Sequence, residues 1–190
     1  MSAVVETKPM TSEQLFAMRP SKKVDRWLFR GLLRESKVTK RNPSHSGAVA
    51  AIAFLLCAWN LTRPKPRGRV YAGEVYFRIR KNPDTNVGID VAMASSRQVV
   101  KTTKKASFVE GAPILAVEVL SPFDKHRDIA EMIEEYLVCG VKVVWIVDPY
   151  AETVTVIRPE SEPVMFSRSQ TLVGGAELPG FECLVAAIFE

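Results

Sequence analysis

The sequence predicts an α/β (α+β) protein in which a central mixed β-sheet is flanked by helices. Residues 114–120 and 141–147 are near-continuous apolar runs of strand length, and the segment between them has the periodicity of a helix. A helix that joins two apolar strands indicates a parallel crossover, whereas the short alternating segments around it indicate antiparallel hairpins. We therefore expect one sheet with both kinds of pairing.

The first half of the chain is predicted to form two helices and five strands. Thr11 or Ser12 can cap a short helix, and residues 24–38 alternate strand formers with polar residues around a turn near Gly31. Residues 44–46 offer N-caps for a helix that is apolar on nearly every side and should therefore be buried. Turn chemistry separates the strands that follow, at 69–74, 75–79 and 87–94.

The second half continues the alternation of strand and helix. Residues 95–111 are polar and basic, which predicts a loop before the 114–120 strand. A helix with an apolar stripe should begin near Asp124 and end at Gly140, the residue type that favours a left-handed cap. Residues 153–157 and 163–166 have the alternation of edge strands in a meander.

Length and composition favour one cytoplasmic domain. Of the 190 residues, 1–10 lack periodicity and are predicted to be a disordered tail, which leaves a single domain over 11–190. The three cysteines form no close pair and have no zinc-site spacing, so we expect a reducing compartment. The longest apolar run, 47–59, is shorter than a membrane span and the N-terminus lacks signal-peptide order, so we expect no membrane contact.

The charge is unevenly distributed along the chain. Residues 1–105 carry 21 lysines and arginines against 7 acids, whereas residues 106–190 carry 5 against 14. A positive surface attracts a phosphate backbone, so the basic first half suggests DNA as a partner. The basic runs 37–42 and 101–105 are typical of residues that line a binding groove. The alternative is that these side chains only solvate the surface.

Two acidic residues interrupt apolar strands, Asp90 within 88–94 and Glu118 within 114–120. Burying a carboxylate costs several kcal/mol or so unless a cation, metal or hydrogen-bond donor compensates it. On adjacent strands about 4.8 Å apart, the two carboxylates can converge on one divalent metal ion. Glu74 is a third acid that can join them from a neighbouring strand. The alternative is that each acid lies at a strand end in water or accepts hydrogen bonds from a loop.

The order of motifs resembles a known family. Gly-Ile-Asp-Val at 88–91, Ala-Val-Glu-Val-Leu-Ser-Pro at 116–122, Glu-Tyr-Leu at 135–137 and Val-Trp-Ile-Val-Asp-Pro at 144–149 are similar to the Uma-type family of putative restriction endonucleases. That family lies within the PD-(D/E)XK nuclease superfamily. The resemblance implies a restriction-endonuclease-like fold and an endonuclease that hydrolyses DNA phosphodiester bonds with magnesium, for which manganese can substitute. Nucleases of this fold often form dimers, which makes a homodimer through the edge strands after residue 149 an expectation.

The resemblance also implies roles for particular residues. Asp90 takes the place of the superfamily's first acid and Glu118 that of the second, and the carbonyl of Val119 is an expected extra metal ligand. Glu74 and His45 lie where relatives often have Glu and His. The alternative for His45, at a helix start, is a cap or a surface residue.

The chain departs from the family pattern at its catalytic lysine. The superfamily places a Lys two positions after the second acid, where this chain has Leu120, and Uma-type relatives supply it from the following helix, where this chain has Met132. A methionine cannot stabilise a charged transition state. We expect either a substitute cation or a catalytically impaired protein that acts as a nucleic-acid-binding or partner-binding module. A structural dimer subunit is a third hypothesis. The candidate substitute cations are Lys125, His126, Arg127, Lys104 and Lys105.

Overall fold

The structure is a computed structural model that describes residues 8–37, 42–103, 105–122 and 124–190. Most of the predicted tail, residues 38–41 of the basic run at 37–42, and Lys104 lie outside these residues. The described chain contains four α-helices, one 3-10 helix and eleven strands. The helices are α1 (Ser12–Ala17), α2 (Pro43–Leu61), α3 (Ser96–Lys101) and α4 (His126–Val138), and the 3-10 helix is Val185–Ile188.

The strands are β1 Val24–Phe29, β2 Leu32–Lys37, β3 Arg69–Arg80, β4 Thr85–Ala94, β5 Val109–Glu110, β6 Leu115–Val119, β7 Val143–Asp148, β8 Thr153–Ile157, β9 Val164–Ser167, β10 Thr171–Val173 and β11 Glu182–Leu184.

Nine of the strands form one mixed sheet, which confirms the predicted fold class. The order along it is β2-β1-β4-β6-β7-β8-β9, with β3 paired to β4 and β5, while β10 and β11 form a separate hairpin. The strands β6 and β7 are parallel and joined by α4, as the crossover predicts.

The strand β4 is the centre of the arrangement that positions the acids. One of its edges pairs with β3 from Arg80↔Thr85 to Arg69↔Ala94. Its other edge pairs first with β1, at Leu28↔Asn86, and then with β6 from Val91↔Val117 onward. On this second edge, residues 87–90 of β4 therefore pair with neither β1 nor β6, and the sheet has an opening there.

A β-bulge interrupts β3 directly opposite Asp90. Ala72 pairs with Val91 and Val75 pairs with Ile89, so Gly73 and Glu74 together oppose the single residue between them. Both bulge residues have left-handed backbone conformations, with φ of 91° and 58°. The prediction of two strands, 69–74 and 75–79, was therefore wrong, because one strand bends at the bulge rather than ending there.

Two hydrophobic cores cover the two faces of the sheet. Alternate residues of β6 and β7 face opposite sides, so Trp145 lies in the α2 core while Val144 lies in the α4 core. The α2 helix contributes Ala48, Ile52 and Leu56 to its core, and each is buried. Its remaining apolar residues are either partly buried or exposed, which corrects the expectation of a buried helix.

Local signals account for several element ends. Thr11 caps α1 as predicted, but α2 is capped by Asn42, whose side chain accepts a hydrogen bond from the His45 amide, rather than by residues 44–46. The 95–111 segment is not wholly a loop, because it contains α3 and β5. Gly140 has the left-handed conformation expected at the end of α4, with φ of 97°.

Among the helices in the described ranges, α2 alone is long and apolar enough, at 19 residues, to cross a bilayer by length and composition. Those two properties are weak evidence, because helices in protein cores share them. Here three of its apolar residues are packed in the core against the sheet.

Candidate active site

The opening in the sheet gathers the predicted acids. The pairing Val91↔Val117 places Asp90 beside Glu118, one step beyond the last paired residues of β4 and β6. Asp90, Glu118 and Glu74 line one cleft of about 580 Å³, bounded by the β1–β2 hairpin and the first half of α4. The three acids therefore share one cavity, as the sequence led us to expect.

Asp90 is held by two groups at its Oδ2 atom. The Val119 amide donates a hydrogen bond to it over 3.0 Å, and His45 Nε2 lies 3.2 Å away. Only 6% of Asp90 and 3% of His45 are exposed. His45 is therefore neither a cap nor a surface residue, because its ring is buried against the first acid. Its other ring nitrogen, Nδ1, is buried with no hydrogen-bond partner in the described part of the chain.

Glu118 is oriented by a tyrosine of α4. The hydroxyl of Tyr136 donates a hydrogen bond of 2.7 Å to Glu118 Oε1, and the tyrosine is fully buried. Burial and the adjacent negative charge of Glu118 raise the pKa of Tyr136 well above its ordinary value, with a smaller contribution from Asp90. Tyr136 consequently stays protonated, and so remains a hydrogen-bond donor to Glu118, throughout the physiological pH range. Sequence reasoning missed it, because at its position it fitted the apolar stripe of the helix.

Glu74 reaches the cleft because of the bulge that carries it. An ideal Cβ on Gly88 would lie 3.7 Å from the Glu74 Cβ, so the two residues face each other across the hairpin. A left-handed conformation is costly for a residue with a side chain, by about 1 kcal/mol. The backbone of β3 is therefore strained at Glu74, the residue that brings a third carboxylate to the cleft.

The candidate cations divide clearly between cleft and surface. Lys125, immediately before α4, is exposed and lines the cleft, whereas His126, Arg127 and Lys105 are exposed but do not line it. Met132 lines the same cleft and also packs against the α4 core, as its place in the apolar stripe predicts. Of the four described candidates, Lys125 is the one that the fold brings to the acids.

One cation of the cleft was not predicted. Arg34, on β2, lines the cleft and reaches across it to α4, where its guanidinium lies 3.5 Å from Glu131 Oε1. The contact joins the two walls of the cleft on its solvent side. The only sequence signal for Arg34 was its membership of the basic first half, which does not distinguish it from its neighbours.

Part of the positive charge of the first half is used inside the fold. Arg78 pairs with Glu13 and Glu110, and Arg30 and Arg80 both pair with Glu135. These arginines support the sheet and are not available as a group to bind phosphate. The positive half of the sequence is therefore a weaker guide to a binding surface than its net charge suggests.

The donor set suits a hard cation held with few protein ligands. Within the described residues, no three His, Cys, Asp or Glu side chains are grouped so that they could hold a metal ion. Two carboxylates and a main-chain carbonyl nevertheless suit magnesium, which usually retains several of its waters. Asp90, Glu118 and Val119 are placed to supply such a set.

Comparisons with known proteins agree with this architecture. No curated protein matches the chain. A crystal structure described as a putative nuclease belonging to DUF820, from Anabaena variabilis ATCC 29413, matches with a TM-score of 0.74 and 16% sequence identity. The match covers 95% of this chain and 98% of that one, and it shows a shared fold. Residues 12–186 match the model of a family described as "Putative restriction endonuclease", so the chain belongs to the Uma2 family, as its motifs predicted.

Proposed function

We propose that the protein is a metal-dependent endonuclease that hydrolyses phosphodiester bonds of DNA. The observation that carries the proposal is the placement of Asp90 and Glu118 side by side on neighbouring strands, in a cleft that also contains Glu74. Membership of the Uma2 family supports a nuclease, and the three-acid cleft supports a metal-dependent one.

Asp90, Glu118 and the Val119 carbonyl would hold magnesium, with manganese as a substitute. Such an ion, when bound, lowers the pKa of a water molecule and stabilises charge on a phosphate. The chain's own contribution is orientation: the Val119 amide and His45 fix Asp90, and Tyr136 fixes Glu118. Carboxylates that are already oriented lose little conformational entropy when a cation binds between them.

The remaining residues of the cleft have separate roles in this proposal. Glu74 adds negative charge beside the metal ligands and can accept a proton from an attacking water. Lys125 supplies positive charge where the family's lysine is missing, and Arg34 on the opposite wall supplies a contact for the phosphate backbone. Binding through such contacts weakens as salt rises, because counterions compete for the phosphates.

The test is cleavage of supercoiled plasmid and of single-stranded DNA with magnesium or manganese, beside an Asp90→Ala protein purified identically. We expect metal-dependent nicking that Asp90→Ala loses. Asp128→Asn is a matched control, because Asp128 is an acid on the cleft wall with no assigned role. Equal activity in wild type and Asp90→Ala would contradict the proposal, and cleavage confined to RNA would correct its substrate.

Met132 supports a second candidate function, a catalytically impaired nuclease fold that binds nucleic acid or a protein partner. The methionine lies in the cleft at the position where relatives place a lysine. If the site is impaired, Met132→Lys should raise cleavage at least about tenfold. Met132→Gln, which adds polarity without charge, is the control. If Lys125 already serves, Met132→Lys should change little and Lys125→Ala should abolish cleavage.

A further inference from the structure

The outward face of α2 is apolar, and its largest side chains are not covered by any other described part of the chain. Phe54 is 70% exposed and Leu61 is 67% exposed, and between and beside them lie small exposed residues. None of the 19 residues of α2 is charged, although charged residues make up 25% of the chain. A helix exposed on one side normally carries polar residues there, so this face is a candidate contact surface.

The inward face of α2 is fixed in the fold. His45 at its first turn contacts Asp90, and Ile52 and Leu56 are packed against the sheet. The helix cannot enter a bilayer as a span without withdrawing these residues from the core. An interfacial membrane helix is also a poor description, because such helices place a charged face opposite the apolar one. Here the opposite face is the protein core.

We propose that two copies of this chain associate through α2, with the helices antiparallel and a two-fold axis beside Phe54. The exposed positions are spaced symmetrically about this residue: Gly47 lies seven residues before it and Leu61 seven residues after it. In an antiparallel pair, Leu61 therefore faces Gly47 of the second copy. By the same geometry Cys57 faces Ala50 of the second copy.

The sizes of these side chains are complementary. Away from the two-fold axis, each larger residue of the face meets a small one, so the two helices can approach closely there without a clash. Ala58 meets Ala51 of the second copy, and Phe54 packs against its own equivalent at the axis. A lipid surface would gain nothing from glycine and alanine at these positions, whereas a matching helix needs them. The spacing therefore favours a second copy as the occupant.

The edge strand β9 is the other surface that could join two copies. Its Val164 and Met165 are exposed, and the strands after residue 149 are the dimer surface expected from the sequence. However, β9 has only four residues, and short edge strands are typical of edges that natural sheets protect from pairing. The longer, uncharged face of α2 is the stronger candidate.

The first test is sedimentation velocity of the full chain over a range of concentrations. We expect a monomer–dimer equilibrium that Phe54→Asp weakens at least about tenfold, because it removes two apolar contacts and places two like charges at the axis. Phe54 is exposed, so circular dichroism should show an intact fold. Met165→Asp on β9 is the matched control and should leave self-association unchanged. A dimer that Met165→Asp disrupts and Phe54→Asp does not would overturn the proposal.

Cross-linking tests the register of the pair. In the proposed pair the two Cys57 residues are about 9 Å apart along the helix axis, since six residues separate their positions at 1.5 Å each. That separation prevents a direct disulfide, whereas Ala50→Cys places a thiol opposite Cys57 of the second copy. Mild oxidation should yield a covalent dimer of Ala50→Cys that is absent when Cys57→Ala is added. Failure of Ala50→Cys to cross-link would overturn this register.

Membrane binding is the competing outcome. A chain that is monomeric at every concentration, and that sediments with anionic phospholipid vesicles in a manner lost in Phe54→Asp, would overturn the proposal in favour of a membrane surface. A chain that is monomeric and does not sediment with vesicles would overturn it as well.

Discussion

Two groups of buried or partly buried carboxylates in this fold are satisfied in different ways. Glu135 on α4 is 1% exposed and is enclosed by cations: Arg80 and Arg30 donate to its oxygens over 2.8 and 2.9 Å, and Thr85 donates over 2.8 Å. In the cleft, Asp90 contacts a main-chain amide and His45, and Glu118 accepts from a tyrosine.

The difference between these partners indicates a structural role for Glu135 and a cation-binding role for the cleft acids. Burial of Glu135 favours its neutral form, but hydrogen bonds from Arg80, Thr85 and Arg30 outweigh burial and lower its pKa. Its lone pairs are occupied and its charge is neutralised, so its role is to join α4 to the sheet. The Val119 amide and the Tyr136 hydroxyl orient the two cleft carboxylates and carry no positive charge themselves, which suits contacts made to groups that must bind a cation.

The largest expected effect comes from Glu118→Gln. This change keeps the shape of the side chain and a partner for Tyr136 but removes the charge that binds metal. We expect cleavage to fall at least about 1000-fold, as losses of central electrostatic groups do. The free energy of unfolding should change by less than about 1 kcal/mol, the usual net value of one hydrogen bond. Plasmid cleavage and differential scanning calorimetry check the two expectations, and a large loss of stability with retained cleavage would reverse the contrast with Glu135.

Glu135→Gln should have the opposite effects to Glu118→Gln: it should lower stability and leave cleavage largely unchanged. Removing the charge of Glu135 leaves Arg30 and Arg80 without their anionic partner and, because both arginines are partly exposed to water, should cost about 1 to 3 kcal/mol of unfolding free energy. The folded fraction should still cleave DNA, because Glu135 does not line the cleft. Urea denaturation measures the first effect, and cleavage at low temperature measures the second. Glu134→Gln, at the exposed neighbouring position, is the control.

The pH dependence of stability should follow from the same ion pair. Because the folded-state pKa of Glu135 is lowered from its ordinary value of 4.5, its contribution is present above that pH. It is lost as pH falls through the lowered folded-state pKa. Stability should therefore decline in acid more steeply in the wild type than in Glu135→Gln. Parallel acid-unfolding curves for the two proteins would contradict this expectation.

Tyr136→Phe tests whether a neutral donor positions the second acid. The change removes the hydroxyl that contacts Glu118 and leaves the ring in the core. We expect stability to fall by about 1 kcal/mol, the usual net value of one hydrogen bond. Cleavage should fall about tenfold while metal is saturating. A loss of stability with unchanged cleavage would mean that the tyrosine is only structural.

The smallest effect is expected from Glu74→Asn. Asparagine adopts the left-handed conformation more easily than glutamate, so stability should stay equal or rise by up to about 1 kcal/mol. Cleavage should nevertheless fall by a few fold, because a charge beside the metal ligands is lost. Thermal unfolding and plasmid nicking report the two quantities. A less stable variant would show that Glu74 supports the fold rather than the chemistry.

Much of the fold could be predicted from the sequence, because the local patterns of apolar and polar residues agree with the contacts that form in the folded protein. Acids within apolar runs marked Asp90 and Glu118, and their neighbouring register follows from the strands that carry them. The parallel crossover from β6 to β7 was likewise readable from a helix between two apolar strands. These features depend on periodicity, which is a property of the chain itself.

Other features depend on contacts that periodicity does not contain. Glu135 stands in a helix beside other acids, so nothing local distinguishes it as buried until Arg30 and Arg80 are placed around it. The apolar composition of α2 predicts burial on all sides, yet only one side meets the sheet. Glycine and glutamate at 73–74 resemble the end of a strand, although pairing with β4 continues on both sides of them.

The bulge also determines which kinds of sequence change this site can tolerate. Glu74 faces the cleft because β3 has one more residue than its partner between Ala72 and Val75. Deleting Gly73 would restore regular pairing, and every residue before it would turn to the opposite face of the sheet or slide along β4. An insertion would have the same effect in reverse. Substitutions at the acids should therefore cost activity alone, whereas a change of length in this hairpin should cost the fold and the site together.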